Sequence, residues 1–203
     1  MQKSPGPEAF CAIALYTQST IAVEDIILVN ERDEQVGTME KIQAHRSALL
    51  HRAFSVFVFN DKGKMLLQRR APDKYHSGGL WTNACCSHPR PGEATPEAAA
   101  RRLREEMGFD ATLQKLFDFT YRSEFENGLT EHEFDHVFAG VYNGPVVPDK
   151  AEVQDYCFKS MGDIGESLLL RPGQYTVWFR IAFPLVEKWV QENGMVANLP
   201  PAG

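Results

Sequence analysis

Long apolar stretches are missing from this 203-residue chain: the longest near its start, roughly Phe10 to Leu15, is far too short for a spanning helix. The start also lacks the basic region and cleavage pattern of a secretion signal, so a cytoplasmic location, away from membranes, is expected. Positive charge is in deficit: 21 Lys and Arg against 27 Asp and Glu leave a net charge of −6, which offers no overall attraction for nucleic acid or anionic lipid. Basic residues that bind an anion must therefore be gathered locally. Cysteine is scarce, with four in all, and a disulfide between the adjacent Cys85 and Cys86 would be strained. Reduced thiols are expected, which leaves these two for chemistry or for simple packing. Internal repeats and low-complexity segments are absent as well.

What is present is an ordinary globular composition, 43% hydrophobic and 24% charged, enough for one core and one domain. Residues 1–23 mix Pro, Gly, Ser and Thr without a sustained period and read as an extension; the domain is expected over 24–194, followed by a tail at 195–203. Short β-branched and aromatic runs predict strands at Ile26–Asn30, His51–Asn60, Lys64–Arg70, Leu116–Phe125, Thr130–Tyr142 and Val153–Ser160. Asp61-Lys62-Gly63 and Glu126-Asn127-Gly128 lie between adjacent runs and predict two antiparallel hairpins. A helix is predicted with Thr95 as cap, Pro96 in its first turn, the run Glu97 to Met107, and Gly108 as a left-handed stop; Ala99, Leu103 and Met107 face inward. A second spans Thr176 to Asn193, with Trp178, Ile181, Leu185 and Trp189 on one side, a kink at Pro184 and an end at Gly194. The class is α+β, with helices packed on a mixed or antiparallel sheet.

The densest polar group is Glu131-His132-Glu133-Phe134-Asp135-His136. On a strand, Glu131, Glu133 and Asp135 share one face. Carboxylates so close repel one another, so either water solvates them or a cation holds them, and this pattern alone leaves the two alternatives level. If the second hairpin loop is residues 126–128, pairing is symmetric about Asn127 and sets Tyr121 opposite Glu133, a phenol beside a carboxylate suited to proton transfer. His45, His51 and His88 come from three separate stretches; each taken singly is more often a hydrogen-bonded core or surface histidine than a ligand. His88 stands out because Pro89 restricts it and Cys86 lies two residues away. On the first helix, Arg102 and Glu106 share a face while Glu105 points elsewhere. That pair is either an exposed ion pair or a diphosphate clamp, with Glu106 on Mg²⁺ and Arg102 on a phosphate. Lys41, Arg69, Arg70 and Lys74 are further candidate cations.

From Ser87 to Phe109 the chain resembles a degenerate Nudix box. Ser87 replaces its first glycine, Glu93 and Arg101 are in place, Arg102 replaces the glutamate that follows the arginine, and Glu105-Glu106-Met107-Gly108-Phe109 completes it. Exchanging a metal-binding carboxylate for arginine is a poor change for a hydrolase. Thr82-Asn83-Ala84-Cys85-Cys86-Ser87-His88-Pro89 resembles the cysteine motif of the isomerase branch of the superfamily, and Glu131-His132-Glu133 its Glu-x-Glu motif. Gly37-Thr38-Met39-Glu40-Lys41 and Leu50-His51-Arg52-Ala53-Phe54-Ser55 agree. The chain is thus similar to the type 1 isopentenyl-diphosphate isomerases.

The resemblance implies that His45, His51, His88, Glu131 and Glu133 hold one divalent ion, Mn²⁺ or Mg²⁺, with Zn²⁺ a further option. It assigns Glu106 to a second ion, Mg²⁺ on the substrate diphosphate, and Lys41, Arg70, Lys74 and Arg102 to the phosphates. Cys86 matches the catalytic cysteine, Glu133 and Tyr121 the opposite proton-transfer partners, and Trp178 an aromatic that shields a carbocation. The implied reaction interconverts isopentenyl and dimethylallyl diphosphate through a tertiary cation, with a small-molecule diphosphate as the partner and the chain a monomer or weak dimer. Two other classes compete: a Nudix pyrophosphohydrolase acting on a nucleoside diphosphate derivative, and a silent metal-stabilised binding module.

Overall fold

A computed structural model describes residues 24–194 of the chain. The expected extension at 1–23 and tail at 195–203, Cys11 included, lie outside the described residues. Each predicted strand run forms: β1 (Asp25–Val29), β3 (His51–Phe59), β4 (Met65–Arg70), β7 (Gln114–Glu124), β8 (Thr130–Val141) and β9 (Val153–Lys159). Three strands were not legible in the sequence. They are β2 (Gln35–Glu40), β5 (Trp81–Thr82) and β6 (Cys85–Ser87).

The strands join in one mixed sheet. Both predicted hairpins are antiparallel, β3 to β4 and β7 to β8, and Tyr121 stands opposite Glu133 as the three-residue loop requires. The parallel contact is β3 with β8, from His51 opposite Glu133 to Phe59 opposite Val141. Such a central pair is covered on both faces, which explains the nearly unbroken apolar run of β3. Phe57 and Phe59 point to one face, where α4 (Val177–Asn193) packs; Val56 and Val58 point to the other, against Ala98, Ala99 and Leu103 of α2 (Thr95–Met107). Beyond the single pair Phe59–Met65, β3 turns to β6 for its partner and β4 turns to β5 and β9, so the sheet forks. The candidate site lies in that fork.

The N-cap of helix α2 lies one residue before the expected Thr95. Ala94 is the N-cap, without a side-chain bond, and Thr95 is already helical; Gly108 ends the helix at φ 77°. A Cβ on Gly108 would collide with the Val147 carbonyl, so both space and backbone demand glycine. Helix α4 begins after Thr176, whose hydroxyl accepts from the Phe179 amide, and runs on through Pro184. Its buried face is a correction to the expected stripe. Trp178, Phe179, Ala182, Phe183 and Val186 are inside, whereas Ile181 and Leu185 are 36% and 40% exposed. The helix is apolar nearly all round, and the side that packs is chosen by the sheet beneath it. Helices α1 (Lys41–Arg46) and α3 (Met161–Leu170) were also not anticipated. No helix among the described residues is long and apolar enough to cross a membrane.

Candidate active site

Short-range structure places each group. In α1, Glu40 caps the Ile42 and Gln43 amides, and the helix sets Lys41 and His45 one turn apart. The His45 Nδ1 lies 2.7 Å from the Lys41 carbonyl and the His51 Nδ1 lies 2.8 Å from the Leu49 carbonyl. A carbonyl only accepts, so each Nδ1 carries the proton and each Nε2 presents a bare lone pair. Both Nε2 atoms are buried without a hydrogen-bond partner. On β6, Cys85 faces the α2 core while Cys86 faces the opposite side, so the adjacent cysteines serve different places. His88 follows directly, its Nε2 3.1 Å from Glu133 Oε1, and the His51 Nε2 is 3.5 Å from the same oxygen.

The donor atoms of His45, His51, His88 and Glu133 lie within 4.8 Å of one another, all buried. Bare imidazole nitrogens converging on a carboxylate in a desolvated pocket suit a divalent cation, so the residues fit the metal that the sequence implied. Glu131 falls in an overlapping group with His45 and His76. His76 was not singled out in the sequence, where it is a lone histidine beside Ser77-Gly78-Gly79. That loop is tight: a Cβ on Gly78 would strike the Pro72 carbonyl.

Burial dominates the electrostatics. It lowers the His88 and His76 pKa values to about 3, so both rings are neutral. Burial, with the Glu133 charge beside it, raises the Glu131 carboxyl well above the usual range; Asp135 is raised for the same reasons. For Glu133 burial acts in that direction too, but the His51 ring beside the carboxylate and the hydrogen bond from His88 outweigh it and hold the group well below. The Tyr121 hydroxyl lies 3.0 Å from Glu131 Oε2 and 2.8 Å from Glu133 Oε2, and burial raises its pKa strongly.

The Cys86 thiol is likewise pushed up, by burial and then by Asp135. It donates to Asn83 Oδ1 at 3.0 Å, and the Asn83 amide is itself fixed by the Val56 and Cys85 carbonyls. Ser55 Oγ sits 3.5 Å from Cys86 Sγ and donates to Asp135 at 2.7 Å. Asn83 and Ser55 appeared in the quoted motifs and Asp135 on the shared carboxylate face, but the β3–β8 and β3–β6 pairings are what bring Ser55 and Asp135 to the thiol.

Ser55, His76, Cys86, His88, Tyr121, Glu131 and Glu133 line one cavity of about 60 Å³ with Lys41, Arg70, Lys74, Arg102, Glu106 and Trp178. The indole of Trp178 already carries a cation on its face, with the Arg70 guanidinium 5.1 Å from the ring. Arg102 bonds Glu106 at 2.6 Å and reaches Glu152 at 3.4 Å; Glu152 also pairs with Lys74. Glu106 is only 5% exposed, so its pair with Arg102 is not the exposed i,i+4 bridge that was one alternative. Arg69 turns away, donating to the Gly79 carbonyl, and supplies nothing to this cavity.

The sheet, the helix carrying the degenerate box and the converging carboxylates define a class. Residues 49–179 match the NUDIX domain model, and the fold is similar to a crystallised protein of Deinococcus radiodurans (TM-score 0.66, 22% identity, 80% of this chain and 98% of that one) and to the MutT protein of Methanosarcina mazei (TM-score 0.58, 22% identity, 71% and 96%). The curated relatives are more specific. Isopentenyl-diphosphate Delta-isomerase 2 of Aromatoleum aromaticum is 50% identical over 89% of this chain and 95% of its own, and Isopentenyl-diphosphate Delta-isomerase of Burkholderia multivorans is 48% identical over 82% and 97%. The chain belongs to the isopentenyl-diphosphate Delta-isomerase family within the Nudix fold.

Proposed function

We propose that the chain interconverts isopentenyl and dimethylallyl diphosphate, with Cys86 on one side of the bound alkene and the Glu133–Tyr121 pair on the other. The observation that carries this reading is that a thiol whose pKa is pushed up by burial, a phenol–carboxylate pair and an indole that already carries a cation line one cavity. An isolated alkene is a very weak base. A proton added at C4 of isopentenyl diphosphate leaves a tertiary carbocation at C3 that water would trap, so exclusion of water is part of the chemistry. One group adds the proton at C4 and the other removes one from C2; in the reverse direction their roles exchange. Asn83 and Ser55 aim the thiol, and Trp178 offers its π face to the cation in place of solvent.

His45, His51, His88, Glu131 and Glu133 would hold a divalent ion, Mn²⁺ or Mg²⁺ with Zn²⁺ also compatible, whose charge would set the protonation and orientation of the Glu133 carboxylate. Glu106 is assigned to Mg²⁺ on the diphosphate. Lys41, Arg70, Lys74 and Arg102 take the phosphate oxygens, displacing the internal acidic partners Glu106 and Glu152 from Arg102 and Lys74. The diphosphate remains intact and acts as the handle that fixes geometry.

The test is proton NMR of the protein with isopentenyl diphosphate and Mg²⁺ in D₂O. Deuterated dimethylallyl diphosphate is expected without free phosphate; phosphate release from nucleotides instead would establish the hydrolase. Folded Cys86→Ala and Glu133→Gln variants should each lose turnover by about a hundredfold or more. Near-normal rates in either variant would remove that residue from the mechanism.

A further inference from the structure

The carboxylates Glu131 and Glu133 share a strand face, yet the structure gives them different company. Glu133 gathers with His45, His51 and His88, whereas the donor group that contains Glu131 consists of Glu131, His45 and His76. Glu131 Oε1 is turned toward the His76 Nε2 at 3.3 Å, and that nitrogen is buried without a hydrogen-bond partner. His76 is 8% exposed. Its ring is stacked on Phe125 at 4.8 Å and meets the edge of Trp178 at 5.8 Å, so its direction is set by packing on two sides. The other nitrogen, Nδ1, lies 3.3 Å from the Ser77 hydroxyl, a residue held at φ 53° in the same tight loop. His45 belongs to both groups, and because its Nδ1 is taken by the Lys41 carbonyl only Nε2 is left for an ion, and one nitrogen serves one ion. A cation that engages His45 and Glu131 together therefore meets His76.

We propose that His76 is itself a ligand of the divalent ion, so that four imidazoles and two carboxylates (His45, His51, His76, His88, Glu131 and Glu133) form the site. This rests on the reading that the cluster binds a metal. Six protein donors fill an octahedral ion and leave no inner-sphere position for water or substrate. The ion then acts on the reaction only through the Glu133 carboxylate, and a nitrogen-rich set favours Mn²⁺, Co²⁺ or Zn²⁺ over Mg²⁺.

The experiment is pulsed EPR and water-proton relaxation on the full chain loaded with Mn²⁺. Four coordinated imidazoles and the low relaxivity of an ion without bound water are expected for the unmodified protein. His76→Ala should show three imidazoles, a rise in relaxivity as water enters, and Mn²⁺ affinity at least about tenfold weaker in chelator competition. Should His76→Ala fail to fold, the imidazole count of the unmodified protein decides alone, and His76→Gln repeats the comparison with a bulkier side chain. Three imidazoles in the unmodified protein, or an unchanged count after substitution, overturns the role of His76 and leaves the metal reading intact. Failure of the unmodified protein to take up Mn²⁺ overturns both.

Discussion

A single hydroxyl donates one hydrogen bond, yet the Tyr121 hydroxyl is within 3.0 Å of both Glu131 and Glu133. The second carboxylate must then carry a proton or have its charge balanced by a cation. Burial and the Glu133 charge make Glu131 the group that keeps a proton in the metal-free protein, while His51 and His88 hold Glu133 ionised. Tyr121→Phe removes the shared donor but keeps a ring that can stack on Phe119. The expected outcome is kcat lower by about a hundredfold with KM nearly unchanged, since the hydroxyl touches Glu133, the carboxylate proposed for proton transfer, and not the cations proposed for the phosphates. Steady-state kinetics on the folded variant checks it; a rise in KM alone would place Tyr121 in binding. The Tyr121–Glu133 pairing was legible because a three-residue loop fixes hairpin register. The position of His76 was not, because it lies in a loop between β4 and β5 and meets Glu131 of β8 only through the tertiary fold.

At the scale of elements, the turn between α1 and β3 sets the spacing of His45 and His51. Helix α1 ends at Arg46 with Ser47 as its C-cap, and Ala48 follows in the left-handed region at φ 52°, with its carbonyl 3.0 Å from the His132 Nδ1. Alanine there carries a steric cost that glycine lacks, so Ala48→Gly should stabilise the fold by about 1 kcal/mol, read as a raised denaturant midpoint at unchanged m. The loop before α2 is tied differently. Glu93 accepts from Arg101 through two nitrogens, at 2.6 and 2.8 Å, and also from the Arg90 amide, and the hydrogen bonds from Arg101 are the largest cause of its lowered pKa. A depressed folded pKa means that this contribution is complete above the ordinary glutamate value of 4.5 and is lost as pH falls through the lower folded value. Arg101→Gln should therefore flatten the loss of stability below that pH, measured by denaturant midpoints across an acid series. Elements with apolar periodicity, such as β3 and β8, were readable along the chain. Strand β2 is polar and largely exposed, and α3 contains Gly162 and Gly165, so neither carried a periodic signal.

For the whole molecule, an ion bound by the proposed ligands from α1, β3, β8 and the segment after β6 would clamp elements far apart in sequence. Binding to the folded state alone stabilises it by about 2.7 kcal/mol when the ion is a hundredfold above its Kd. Chelation should lower Tm by about 5–10 °C in calorimetry, and excess Mn²⁺ should restore it; an unmoved Tm would show that the cluster takes no ion from solution.

Composition, hydrophobic alternation and turn chemistry are local properties, and by themselves they determined the α+β class, most strands and the Tyr121–Glu133 register; motif likeness added the family, and with it the roles proposed for Cys86, Glu133 and the box helix. Tertiary structure alone decided which face of α4 is buried, that Arg69 leaves the cavity while Arg70 enters it, and that Ser55 and Asp135 stand behind the thiol. It also decided the company of Glu131. The physical reason is the same in each case: side-chain periodicity sets the face of an element, but the parallel contact of β3 with β8 and the fork beyond Phe59–Met65 set what that face meets.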